Sequence, residues 1–378
     1  MRRYLQSVRP YIPYILALIP VMAFRELTPQ NELRYLTIVD EALRDGHFWS
    51  FTFEGAIYAD KPPLYFWLLM AARWLFGAHV PLVINMFSLI PAIGILMIFK
   101  RWTERFAPTY LKGEMTAWML ATCGLQLGMA VFARMDMLMS LFITWCMYIF
   151  WQRIQADGKE SDDARLSWMM GLMLFLALFS KGPLGILIPL VSVTVFMVID
   201  GKISRWLHVW NWRVWLPVIV GCAVWWSAAY MESGAEYVNN MLFHQTVDRA
   251  VDAFHHQRPW WFYLKTIWYT TLPWGPFCII VVLVSLVKRT WTREPLQKFF
   301  TTVFLSTFVM LSLISGKLDV YMLPAYPFMV YGGMLQFCQW PASEKTAPVI
   351  VKTCKVLMCI IFVAGLCLPL AYKYLPLS

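Results

Sequence analysis

The stretch NELRYLTIVDEALRDGHFWSFTFEGAIYADKPPLYFW, residues 31–67, decides how the rest of the chain is read. It holds most of the charge in the first hundred residues, yet apolar runs flank it near 10–25 and 80–100, each close to the length that crosses a hydrocarbon core of roughly 30 Å. A polar island between two such runs is a membrane protein's loop. Within it, Leu33, Leu36, Val39 and Leu43 recur at helical spacing while Arg34, Asp40, Glu41, Arg44 and Asp45 fill the other faces. That pattern predicts an amphipathic helix at the membrane interface, ended by Gly46. The segment PPLYFWLLMAARWLFG at 62–77 starts with prolines, which a first helical turn accepts, and predicts a second interfacial helix.

Composition extends this reading to the whole chain. Of 378 residues, 60% are hydrophobic and 14% charged, with 20 Trp and a mean hydropathy of +0.56, too apolar for a water-soluble domain. The class expected is an all-α polytopic membrane protein, one integral domain over 1–378 with no C-terminal soluble domain. Spans are expected near 10–25, 80–100, 114–133, 137–153, 166–180, 183–199, 213–231, 266–287, 297–314, 320–338 and 349–372, about eleven helices. With Met1 inside, 20 of the 32 Lys and Arg fall in inner loops, which places the N-terminus in the cytoplasm and leaves 26–79 and 232–265 as the two long outer loops. The net charge of +10 is dispersed over short loops and forms no continuous stripe with stacking aromatics, which argues against nucleic acid. The eight cysteines lie in or beside apolar spans without metal-ligand spacing.

The polar residues that chemistry could use gather on the outer side. Asp136, in FARMDMLMSL, sits between apolar runs, where an unpaired carboxylate at bilayer centre costs roughly 2.5–3.5 kcal/mol, so it should face a polar cavity together with Arg134. Lys181, in LFSKGPLGILIPL, interrupts another apolar stretch; a turn and a functional group are both open readings. Lys61 is held between Asp60 and two prolines near a helix start, where an ammonium can hold a phosphate. The second outer loop concentrates His244, Arg249 and Arg258 beside aromatics, and SGKLDVYMLPAYPFM at 315–329 contributes Lys317 and Tyr321. An interfacial belt explains Arg258 without any chemistry. Asn31 follows Pro29-Gln30 and reads as a helix N-cap, with Glu32 placed favourably against the helix dipole.

In this order the pieces resemble the GT-C membrane glycosyltransferases, in particular the aminoarabinose transferase and protein O-mannosyltransferase group that uses polyprenyl-phosphate sugars. NELRY stands for an acidic pair before R-Y, DKPPLYFW for K-P-P-L, and Arg134-Met135-Asp136 for R-x-D. Lys181-Gly182 stands for K-G, His244 and Arg249 for a His and Arg five apart, and SGKLDVYMLPAYP for S-x-K-x-x-Y-x-L-P-x-Y-P. The resemblance spans most of residues 10–335, with Asn31 where the family has a carboxylate.

The resemblance implies an inverting transfer on the periplasmic side of a bacterial inner membrane. A lipid or envelope-glycan acceptor would attack a sugar carried on polyprenyl phosphate. It assigns the donor phosphate to Lys61, Arg249 and Tyr321, the carboxylate to Asp136 with Glu32 second, and other cavity positions to Asn31, Arg134, Lys181, Lys317 and Arg258. Some relatives hold a divalent metal, zinc, magnesium or manganese, at positions that correspond here to Asp60 and His244. The alternative is a non-catalytic polyprenyl-phosphate binder or translocator. A proton-coupled carrier fits least, because no chain of carboxylates crosses the spans.

Overall fold

A computed structural model describes residues 9–155, 160–242 and 257–374. Helices dominate: α1 (Ile12–Phe24), α2 (Arg34–Asp45), α3 (Leu64–Phe76), α4 (Pro81–Phe106), α5 (Gly113–Ala121), α6 (Gly124–Val131), α7 (Met135–Gln155) and α8 (Glu160–Lys181) form the first half. α9 (Leu184–Ile199), α10 (Trp212–Asn239), α11 (Phe262–Thr270), α12 (Gly275–Val287), α13 (Pro295–Leu313), α14 (Tyr326–Phe337) and α15 (Ala342–Tyr374) complete the bundle. A two-stranded hairpin, β1 (Thr52–Phe53) with β2 (Ala56–Ile57), lies between α2 and α3. Among the described residues six helices are long and apolar enough to cross a membrane, and a bent pair, Arg9–Phe24 with Pro29–Asp45 at 80°, would make a seventh. The protein is a multi-pass membrane protein.

The eleven expected spans do not appear as eleven long helices, and the breaks have causes. The segment at 114–133 divides between α5 and α6, and the one at 266–287 divides between α11 and α12. The two breaks meet: the Gly124 N–H donates to the Leu272 carbonyl at 2.7 Å, and the Trp274 indole donates to Thr122 Oγ1 at 2.8 Å. Interrupted backbone survives at membrane depth because protein supplies the missing partners. A Cβ on Gly124 would stand 2.9 Å from the Thr270 carbonyl oxygen, so this approach requires glycine. The segment at 320–338 opens as a 3-10 helix, Asp319–Ala325, containing Pro324, before α14 begins.

Packing in the bundle follows small residues, as it must where lipid is as apolar as the side chains. Helix α8 packs on α7, α9 and α10. A Cβ on Gly171 would fall 2.3 Å from the Val214 carbonyl oxygen of α10, and one on Gly185 would fall 2.4 Å from the Ala177 carbonyl carbon of α8. One end of the bundle is filled by rings from α4, α13 and α14: Phe99 stacks on Tyr331 at 4.6 Å, and Trp102 meets Phe300 edge-on at 5.0 Å. The other end is where the polar side chains collect.

Helix α2 has the apolar stripe the sequence predicts, and the stripe packs on protein. Leu36 and Val39 are buried, with Tyr35, Ile38 and Ala42, against Phe51, Tyr65, Phe66 and Leu69. Only Leu33 of the expected stripe is exposed. The apolar face is covered by α3 and the hairpin, so α2 and α3 together roof the polar end. Gly46 ends α2 at φ 75°, a left-handed position that glycine adopts without strain.

Candidate functional site

Two buried carboxylates organise the polar end. Helix α1 ends at Phe24 and the chain turns through Pro29–Leu33, which places Glu32 under the bundle rim. Glu32 accepts from both terminal nitrogens of Arg25, from the N–H and hydroxyl of Thr28 at 2.8 and 3.0 Å, and from the Ala133 N–H at 2.6 Å. Arg25 also donates to Asn85 Oδ1 at 2.8 Å, and Asn85 donates to the Met22 carbonyl at 3.1 Å. Burial alone would raise the Glu32 carboxyl; the Arg25 guanidinium and the two N–H donors outweigh it and hold the group below its usual range. Every acceptor direction of this carboxylate is taken.

Asp136 occupies the first turn of α7, where the helix dipole favours a carboxylate. Its Oδ2 accepts from Arg134 Nε at 3.1 Å and its Oδ1 from the Lys181 ammonium. Lys181 ends α8, and the chain reverses at once through Gly182 at φ 117°, a turn that favours glycine. The antiparallel α7–α8 pair thus brings Asp136 and Lys181 together from 45 residues apart. The Lys181 ammonium also lies 4.5 Å from the centre of the Tyr321 ring, a cation–π distance. The Asp136 side chain is 1% exposed and that of Lys181 8%, whereas Arg134 is 21% exposed. Arg134 is the member of the trio most open to solvent.

The K-P-P segment joins this cluster through the roof. Tyr35, buried in α2, meets Tyr65 and Phe66 edge-on, and both belong to the helix that the two prolines open. Pro62 and Pro63 are buried and lead into α3. Trp67 of α3 packs edge-on against Phe179 at 5.2 Å, two residues before Lys181. Lys61 and Asp60 are half-buried.

Helix α10 fixes the loop that carries them. The Glu232 carboxylate accepts the N–H groups of Phe48, Trp49 and Ser50 at 2.6–2.8 Å and the Ser50 hydroxyl at 2.6 Å. The Tyr237 hydroxyl donates to the Tyr58 carbonyl at 3.3 Å. Neither residue stood out in the sequence reading, although a glutamate inside an apolar run was a signal. Arg25 and Asn85 were missed as well; Asn85 and Ser88, three apart in an apolar helix, marked a polar face.

The remaining candidates fall elsewhere. Lys317 donates to the Arg258 carbonyl at 3.0 Å and to the Ile314 carbonyl, which ties the turn before Asp319 to the strand-like bridge Gln257–Gly316. Arg258 is exposed, with its N–H on the Ser315 carbonyl at 3.2 Å. Asn31 is half-buried in the third position of the Pro29–Leu33 turn and does not cap it; Thr28 holds the cap position and Glu32 answers its N–H and hydroxyl. Arg249 and His244 lie outside the described residues. Among the described residues no three His, Cys, Asp or Glu side chains cluster as a metal site, and Asp60 alone of the two expected ligands can be placed.

The fold carrying these residues has a close structural counterpart. ArnT from Cupriavidus metallidurans bound to undecaprenyl phosphate superposes with a TM-score of 0.76 at 16% identity, over 92% of this chain and 62% of that one. The apo structure of the same protein gives 0.75 over 92% and 63%. The chain has the GT-C membrane fold of ArnT. Among the curated proteins it is similar to are undecaprenyl phosphate-alpha-4-amino-4-deoxy-L-arabinose arabinosyl transferases. That of Pseudomonas fluorescens (strain Pf0-1), transferase 1, is 27% identical over 316 residues, 81% of this chain and 53% of that protein. That of Shewanella sediminis is 25% identical over 325 residues, 85% and 57%. The chain spans about half the length of the curated relatives it matches. No protein-family model matches the chain.

Proposed function

We propose that this chain is an inverting glycosyltransferase that moves a sugar from a polyprenyl-phosphate donor to a lipid or envelope-glycan acceptor at the periplasmic face of the inner membrane. The names of its relatives point to a 4-amino-4-deoxyarabinose on undecaprenyl phosphate as the donor class. The observation that carries the reading is the trio Arg134, Asp136 and Lys181, with Lys181 against Tyr321, at the roofed end of a bundle shaped like one that binds undecaprenyl phosphate.

In this reading an acceptor oxygen attacks the anomeric carbon as the bond from that carbon to the lipid phosphate breaks, and the phosphate leaves with the bonding pair. Its growing charge needs preorganised cations and donors, which are Lys61, Arg249 and the Tyr321 hydroxyl. The acceptor proton needs a carboxylate, Asp136. A carboxylate already shared by two cations is a weak base, so its partners must turn away before it acts. The donor phosphate supplies the reason to turn: Lys181 lies between Asp136 and the Tyr321 ring and can exchange one anion for the other. Donor binding would then uncover the base. Glu32, enclosed by five donors, is the positioning residue that holds the roof turn to α4 and to Ala133.

The test is mass spectrometry of lipids and envelope glycans from cells carrying the wild type, Asp136→Asn, or no protein. A sugar-sized mass on an acceptor, seen only with wild type, identifies both the sugar and the acceptor. Identical spectra in all three strains would overturn transfer and leave the non-catalytic lipid binder.

A further inference from the structure

The end of the bundle away from the trio carries a second cluster of charge that the transfer reading does not use. Along α4, Asn85 touches the Glu32 centre while Thr103 lines a cavity of about 470 Å³. At roughly 1.5 Å per residue the two lie about 27 Å apart, nearly a bilayer's hydrocarbon thickness. The charged lining of the cavity is Arg9, Lys100 and Lys355, with Glu104 and Glu114. Part of its wall is apolar, Ala117, Trp118 and Ala121 of α5, beside Tyr14 of α1. Along α5 this wall runs from Gly113 to Ala121, about 12 Å at the same rise. An adjoining cleft of about 680 Å³ shares Gly113, Glu114 and Lys355 and adds Lys112 and Lys352, so five cations face two carboxylates across the pair.

Three observations give the site its chemistry. The cations sit in exposed pairs, Lys355 with Glu114 at 3.1 Å, Lys112 with Glu344 at 3.5 Å and Lys100 with Glu104 at 3.8 Å, which add little and yield to a better anion. The N-terminus of α5 has no side-chain cap, and its first two residues, Gly113 and Glu114, line the cavity. Tyr14 is 1% exposed, and its hydroxyl has no hydrogen-bond partner although it stands in the cavity wall. A buried hydroxyl without a partner asks for a ligand oxygen.

We propose that this cavity binds an anionic glycerophospholipid, with the phosphate among Arg9, Lys100, Lys355 and the start of α5 and an acyl chain along the α5 wall. Polar lining, apolar slot and net positive charge match that molecule and no soluble anion. The site lies at the end where the basic loops gather, which places it against the leaflet rich in anionic lipid. It stands whether or not the chain transfers sugar.

The experiment is native mass spectrometry of the purified full chain in neutral detergent, titrated with phosphatidylglycerol or with phosphatidylcholine of the same chains. Wild type should retain phosphatidylglycerol in preference. Arg9→Gln/Lys100→Gln should lose about 25-fold of that preference, at about fivefold per cation. Ala117→Phe, which narrows the slot, should lose retention of the lipid. Equal retention of the two lipids by wild type, or unchanged preference in the double variant, overturns the proposal. Displacement of phosphatidylglycerol by inorganic phosphate at equal concentration means a bare anion site and overturns it too. If Ala117→Phe does not fold, the glutamine pair at solvent-accessible positions decides alone.

Discussion

Glu32 and Asp136 are both 1% exposed and both meet cations, yet they are built for different work. Glu32 is enclosed by donors from the turn itself, from Arg25 and from the Ala133 backbone, and Arg25 is in turn fixed by Asn85. Among the described residues the Asp136 carboxylate meets only side chains, one on a helix end and one on the stretch of chain leading into its own helix, both long enough to swing. A carboxylate held by backbone N–H groups cannot exchange its partners without unfolding the turn. One held by long side chains can. The difference separates a clasp from a group that a ligand can reorganise.

The largest effect that tests this difference lies at Lys61. Lys61→Ala should abolish turnover by loss of donor phosphate binding, measured as transfer in membranes and as retention of undecaprenyl phosphate by the purified protein. Retained turnover would sink the phosphate assignment. Next comes Asp136→Asn, expected to lower turnover by about 10²–10⁴-fold while donor retention persists, the range for a lost general acid or base. Transfer at a normal rate in this variant would move the carboxylate role to Glu32 and erase the contrast between the two centres.

Glu32→Ala should act on the fold. Removing it leaves the Arg25 guanidinium buried without its carboxylate, at a cost of about 3–5 kcal/mol, read as a fall in melting temperature in detergent. The sign with pH follows from its lowered carboxyl. The contribution is complete above the unfolded value of roughly 4.3 and is lost as pH falls through the lower folded value. Wild type should therefore lose stability in acid more steeply than Glu32→Gln. A Glu32→Ala protein that melts like wild type but cannot transfer would place Glu32 in the chemistry.

Much of this was legible from the residues. Charges interrupting apolar runs at Asp136 and Lys181 marked the trio, because membrane burial leaves such groups only paired or in a cavity. The break of one span at Thr122 was not legible, since its stability depends on a second break 150 residues away that supplies the Leu272 carbonyl. The direction of the α2 stripe was hidden for a related reason: periodicity tells which face is apolar and not whether lipid or α3 covers it. Glu232 shows the limit most sharply. Its spacing to Phe48, Trp49 and Ser50 carries no pattern, because a carboxylate on backbone N–H groups needs no particular residue types opposite it.

The smallest effect is expected at Asn31, the amide next to Glu32 in the chain. Because Thr28 holds the cap position and Glu32 accepts its N–H and hydroxyl, Asn31→Ala should change stability by less than about 0.5 kcal/mol and leave transfer intact. Asn31→Asp is the sharper variant, since it puts a carboxylate directly beside Glu32 in the chain. If Asp136 is the only base this chemistry uses, Asn31→Asp should leave turnover unchanged and cost a little stability through repulsion between neighbouring carboxylates. A rise in turnover would mean that the pocket presents the acceptor to position 31. The base role would then be shared, and the contrast between clasp and switch would no longer run between Glu32 and Asp136 but between two adjacent residues of one turn.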